Sequence, residues 1–154
     1  MTYVLGERSR KELVGVHPAL VEVVEVAITI TTQDFGVHDG LRTIREQEVY
    51  FDTGASQTMD SKHLPQPDGW GHAVDLVPYL NGKLRWEWPL IYPIAAAVKR
   101  VALEHKVELV WGGVWDRPMS RLSDDLAREV RSYTARMKAK SKRAFLDGPH
   151  FQLA

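Results

Sequence analysis

Cysteine is absent from the chain, which excludes disulfides and thiolate metal sites and leaves histidine and carboxylate as the available strong metal ligands. Neither sign of charge is in excess: twenty basic and twenty acidic side chains cancel, so neither nucleic acid nor an anionic membrane is an expected partner. No apolar run approaches membrane-spanning length, and the N-terminal ten residues, Met1 to Arg10, lack the apolar centre of a signal peptide. Repeats, low-complexity tracts and Ser/Gly linkers are also missing. These absences predict a protein made in the cytosol without an integral membrane segment, forming one domain over residues 1–154.

What is present suffices for a core, since 44% of the 154 residues are hydrophobic. Pro18 to about Ile30 reads as a helix with proline in its first turn and Leu20, Val23, Val24, Ala27 and Ile28 as its buried stripe. A short strand is expected around Asp34 to His38, then a helix from about Thr43 to Thr53 closed by Gly54. Ala73 to Tyr79 alternates as a strand, and Asn81-Gly82 followed by Lys83 to Trp88 reads as a hairpin. A helix from Pro89 to about His105 carries Ile91, Ile94, Ala95, Val98, Val101 and Ala102 on one face. Val107 to Trp111 is a buried strand, Ser120 to Arg143 a second long helix, and His150 to Leu153 a last strand. The sum is an α+β fold, with helices packed on a small antiparallel sheet.

The chemistry concentrates in a few residues. Asp147 stands three positions before His150, and His63 and Asp75 lie upstream. Two histidines and a carboxylate can hold zinc and leave one position open for water, with Asp147 beside that water as general base. His72 sits on the opposite strand face from the pair of Asp75 and reads as a neighbour rather than a ligand. His17, His38 and His105 show no ligand spacing and read as surface or capping residues. Trp86, Trp88, Trp111 and Trp115 read as core, with one of them a candidate to line a substrate groove. The basic stretch Lys138 to Arg143 reads as a solvated helix end.

The segment Ser61-Lys-His63 … Gly71-His-Ala73-Val-Asp75, together with Asp147-x-x-His150 and Gly40-Leu-Arg42-Thr-Ile-Arg-Glu-Gln47, resembles the zinc peptidases that include D-Ala-D-Ala carboxypeptidases, vancomycin-resistance dipeptidases and phage L-alanyl-D-glutamate endopeptidases. The closing Gly-Pro-His-Phe-Gln-Leu is most similar to the single-domain phage endolysins. The resemblance implies the D-Ala-D-Ala peptidase-like (Hedgehog/DD-peptidase-like) fold and His63, Asp75 and His150 as ligands of Zn2+. It also implies Asp147 as catalytic acid/base and Arg42 as the residue that polarises the scissile carbonyl. The implied substrate is the L-alanyl-D-glutamate bond of peptidoglycan. The expected enzyme is a monomer that accumulates in the host cytoplasm and depends on a holin to reach the periplasmic wall.

Two rivals stand beside this reading: D-alanyl-D-alanine carboxypeptidase or dipeptidase specificity on the same fold, and a zinc-bearing binding module without catalysis. Arg42 has the simpler option of bridging to Glu46 or Asp39, and Gln47 that of orienting Arg42, contacting substrate or facing solvent. The chain departs from the family in the insert Leu64 to Trp70, longer than the family's spacing between histidine and glycine. The insert is expected to arch beside the metal as a substrate-side flap, with Trp70 packing on substrate or anchoring the loop. The chain also carries Val114 where relatives often have an aspartate, leaving Asp116 as a candidate substitute.

Overall fold

The computed structural model describes residues 2–56 and 58–154. Helix α1 (Glu7–Glu12) is followed by α2 (Pro18–Ile30), strand β1 (Phe35–Asp39), α3 (Ile44–Asp52), β2 (Ala73–Leu80), β3 (Lys83–Leu84), α4 (Trp88–Glu104) and β4 (Leu109–Trp111). A 3-10 turn (Met119–Arg121), α5 (Leu126–Ala139) and β5 (His150–Leu153) complete the chain. The strands form one antiparallel sheet in the order β1-β2-β5-β4, and β3 pairs with β2. The order matters: β5 follows every other element in sequence yet lies between β2 and β4.

The α2 stripe is buried at Leu20, Val23, Val24, Ala27 and Ile28, as its period requires. Proline opens the helix, and His17 caps it by accepting the Ala19 amide at Nδ1. The buried face of α4 includes all six residues expected from its sequence, and each fully buried Val, Ile or Leu contributes roughly 1.5–3 kcal/mol. Both helices join one apolar cluster with Val74 and Leu76 of β2, Trp111 of β4 and Phe151 of β5. Trp111 and Phe151 are cross-strand partners with stacked rings, centroids 6.4 Å apart. Because side chains alternate along a strand, Asp75 and His150 project from the opposite face of the sheet.

Three sequence expectations are corrected. The long helix from Ser120 begins only at Leu126: Asp125 caps it through the Arg128 amide, and the preceding residues form the 3-10 turn. Leu122 is buried, but it lies between that turn and the helix, so the apolar period ran past the true helix start. The Asn81-Gly82 hairpin forms, both residues taking positive φ, yet its second strand stops at Leu84 and Trp88 already starts α4. The strand read from Val107 starts at Leu109. Helix α1 had no sequence signal, since Ser9 is its one buried residue.

Candidate metal centre and catalytic cleft

On the sheet face away from α2 and α4, a cavity of about 460 Å³ is lined by residues that include His38, Arg42, Lys62, His63, Asp75, Trp86, Trp115, Asp147 and His150. Asp75 of β2 and His150 of β5 are directly opposed across the strand pair. His63 arrives from the loop before β2, which is laced to its surroundings by Arg42 N–H to His63 O (2.8 Å) and His72 N–H to Lys62 O (2.7 Å). The three side chains meet closely: His63 Nε2 lies 3.3 Å from Asp75 Oδ1 and 3.3 Å from His150 Nδ1, and His150 Nδ1 lies 3.2 Å from Asp75 Oδ1.

That triangle is a test of metal fit. Zinc bonds of about 2.0–2.1 Å arranged tetrahedrally set ligand atoms about 3.3–3.4 Å apart, and the three observed separations agree. The imidazoles are oriented for the task. His63 Nδ1–H donates to Gly40 O at 2.7 Å, and His150 Nε2–H donates to Gln152 Oε1 at 2.9 Å. Each bond fixes the tautomer that turns a lone pair toward Asp75. His150 also packs against the Trp115 indole, ring centroids 5.0 Å apart. This buried histidine–carboxylate group is able to hold a metal ion.

Asp75 faces two imidazoles and a guanidinium. Burial opposes its ionisation, but the His63 and His150 imidazoles hold its carboxyl well below the usual carboxylate range. Its second oxygen accepts from Arg42 Nη2 at 3.2 Å. Across the β1–β2 pair the residue opposite Asp75 is another carboxylate, Asp39, placed there by a register shift between Val37 and Asp39. Two like charges so opposed would repel, and the buried Arg42 (7% exposed) resolves the conflict: its Nε donates to Asp39 and its Nη1 to Gln47 Oε1 at 2.8 Å. Tyr50 stacks on the guanidinium, 4.2 Å from ring centroid. Arg42 therefore bridges Asp39, as the sequence allowed, to Asp75, and Gln47 orients Arg42, one of the roles open to it in the sequence.

Asp147 lines the same cavity from the loop before β5. Burial, then the charge of Asp75, pushes its carboxyl up from 3.8 to about 6, partly offset by His150, His63 and Arg42. Its main chain is clamped to the end of β4: Asp147 N–H donates to Gly112 O at 2.9 Å, and Gly112 N–H donates to His150 O at 2.8 Å. A side chain on Gly112 would bring a Cβ to 2.0 Å from Asp147 O, so only glycine permits this approach. Gly40 is constrained likewise, a Cβ there falling 1.9 Å from Glu12 O.

Other expectations are corrected by position. The insert Leu64 to Trp70 does not line the cavity. It folds on itself through Gln66 N–H to Trp70 O and Gly69 N–H to Gln66 O. The adjoining Gly71 pairs with Gly15 and His17, so the insert is carried toward the start of α2 rather than over the metal ligands. Trp70, 40% exposed, lies outside the cavity lining. His72 also faces away from the cavity, where its Nε2 meets Asp68 Oδ2 at 2.7 Å beside His17. Asp116 forms a two-pronged ion pair with Arg136 and substitutes for nothing at the site. Gly40, Gly112 and Gln152 had no assigned role in the sequence, because a carbonyl contact or a cross-strand pairing leaves no residue-type signature.

Comparison with known proteins agrees with this geometry. The family model described as phage L-alanyl-D-glutamate peptidase matches residues 1–154. The L-alanyl-D-glutamate peptidase of Escherichia phage T5 is 28% identical over 157 residues, covering 99% of both chains. The solved structure of the Serratia marcescens L-Ala D-Glu endopeptidase ChiX is 34% identical, with a TM-score of 0.71 over 98% of this chain and 90% of that one. With its ligand triangle and carboxylate in one cleft, and its whole length matched, the chain belongs to the phage L-alanyl-D-glutamate peptidase family.

Proposed function

We propose that the protein is a zinc-dependent endopeptidase that cleaves the L-alanyl-D-glutamate bond of peptidoglycan stem peptides, acting as a phage endolysin. The observation that carries the reading is one cavity holding the His63–Asp75–His150 triangle and the raised carboxyl of Asp147. Zinc, when bound, supplies a Lewis acid that can lower the pKa of water to about 7. His63, Asp75 and His150 hold it. Asp147, whose carboxyl is raised by burial, takes the proton of the attacking water and returns it to the leaving amine of D-glutamate. Arg42 aims Asp75 through its Nη2, and Gln47 holds Arg42.

The structure has no helix long and apolar enough to cross a membrane among its described residues. On this reading the enzyme accumulates in the host cytoplasm, acts as a monomer and meets its substrate in the periplasm once a holin opens the way. The test is a digest of purified murein by the zinc-loaded enzyme. New N-terminal D-glutamate in the products is the expected result. Release of D-alanine instead would assign it carboxypeptidase specificity, and an unchanged sacculus would leave a metal-binding module.

A further inference from the structure

A second, smaller depression adjoins the catalytic cavity. It measures about 240 Å³, is walled by Trp86, Trp88, Ile91, Leu146 and Pro149, and shares Trp86 and Asp147 with the cavity. A ligand that leaves the reaction centre past Asp147 on this side must cross the Trp86 indole. Trp86 is 54% exposed, an unusual state for a side chain with so much apolar surface. It is nonetheless oriented: His38 of β1 packs against it in a T arrangement, centroids 5.6 Å apart at 85°. Trp88 is anchored below by Tyr92 and Trp111, at 5.5 and 6.2 Å.

We propose that this groove is a saccharide subsite, which seats the amino sugar attached to the alanine end of the scissile bond. The inference rests on the peptidoglycan reading above and adds a direction to it. Charge differs between the two: Lys62 and Asp60 line the cavity, whereas Asp147, shared by both, is the one ionisable group lining the groove among the described residues. The substrate is sorted in the same way. Beyond the scissile bond lie the free carboxylate of D-glutamate and the charged diamino acid. On the alanine side the amine is acylated by the lactyl ether of N-acetylmuramic acid, so the chain continues as a neutral sugar. A pyranose presents a face of C–H bonds whose slightly positive hydrogens suit the electron-rich face of an indole. The aromatic groove therefore takes the sugar and the charged cavity takes the peptide.

The experiment uses the zinc-loaded enzyme and two synthetic substrates with the same L-alanyl-D-glutamyl tripeptide. One carries N-acetylmuramic acid on the alanine nitrogen and the other an acetyl group. The wild type is expected to prefer the muramyl substrate by about tenfold in kcat/KM, mainly through KM, the scale of one good aromatic contact. Trp86→Ala should collapse that ratio toward one, and Trp86→Phe, which keeps a ring, should retain a clear preference. Equal kcat/KM of the wild type on both substrates would overturn the subsite. So would an unchanged ratio in Trp86→Ala, or equal losses on both substrates. If the wild type cuts neither substrate, the L-alanyl-D-glutamate reading fails instead.

Discussion

Replacing Asp147 by asparagine should make the enzyme inactive and, without metal, more stable. The carboxyl is pushed from 3.8 to about 6, with burial as the leading cause and no hydrogen bond among the causes, so an amide of the same shape forfeits no bond. At about 1.4 kcal/mol per pH unit, a displacement of that size costs the metal-free fold at most about 3 kcal/mol. The sign follows from the direction. A folded pKa raised above the unfolded value means that the folded state holds the proton more tightly. The penalty is therefore complete above pH 6, fades as pH falls through 6, and is gone below 3.8. Thermal unfolding at pH 8 in a chelator should show Asp147→Asn melting up to roughly 6–12 °C above wild type, at roughly 2–4 °C per kcal/mol for a domain of this size. The gap should narrow at pH 5. Turnover of the metal-loaded variant should fall by roughly two to four orders of magnitude. A variant no more stable than wild type at pH 8, or a gap unchanged at pH 5, would refute the argument from burial; near wild-type turnover would remove Asp147 as the base.

Four further outcomes are expected. The acid limb of kcat/KM should lie at or below pH 6, with activity lost as pH falls, because the base must be unprotonated and a bound cation lowers its pKa further; a limb well above pH 6 contradicts this. His63→Ala, Asp75→Ala and His150→Ala should each lose stoichiometric zinc by elemental analysis, and chelation of the wild type should lower Tm as well as stop activity. Arg42→Met leaves Asp39 and Asp75 facing each other, so denaturant titration should show a loss of about 3–5 kcal/mol together with weaker zinc binding. Gln152→Leu frees His150 Nε2 and should weaken zinc about 10–100-fold in a competition assay, whereas Trp70→Ala, outside the cleft, should leave KM on murein unchanged.

The parts of the molecule legible from sequence are those written in a period or a motif. The α2 and α4 stripes follow from helical spacing, and the ligand triad with Asp147 follows from residue types that zinc chemistry demands. Position in space was less legible. The insert Leu64 to Trp70 sits in sequence between two ligand segments, yet backbone pairing of Gly71 with Gly15 and His17 draws it aside. Arg42 was recognised, but its commitment to Asp75 depends on a bulge in β1 that sets Asp39 opposite Asp75. Gly112 matters only because a loop distant in sequence passes within contact of it.

The position of β5 between β2 and β4 has a consequence for when the enzyme comes into being. Residues 147–153 supply Asp147 and His150 to the cavity and the strand that joins two otherwise separate parts of the sheet. During synthesis, the preceding residues leave the ribosome with β2 lacking its neighbour and the metal triangle open at one corner. A chain terminated before residue 147 is thus expected to lack both activity and the strand that ties β4 to β2.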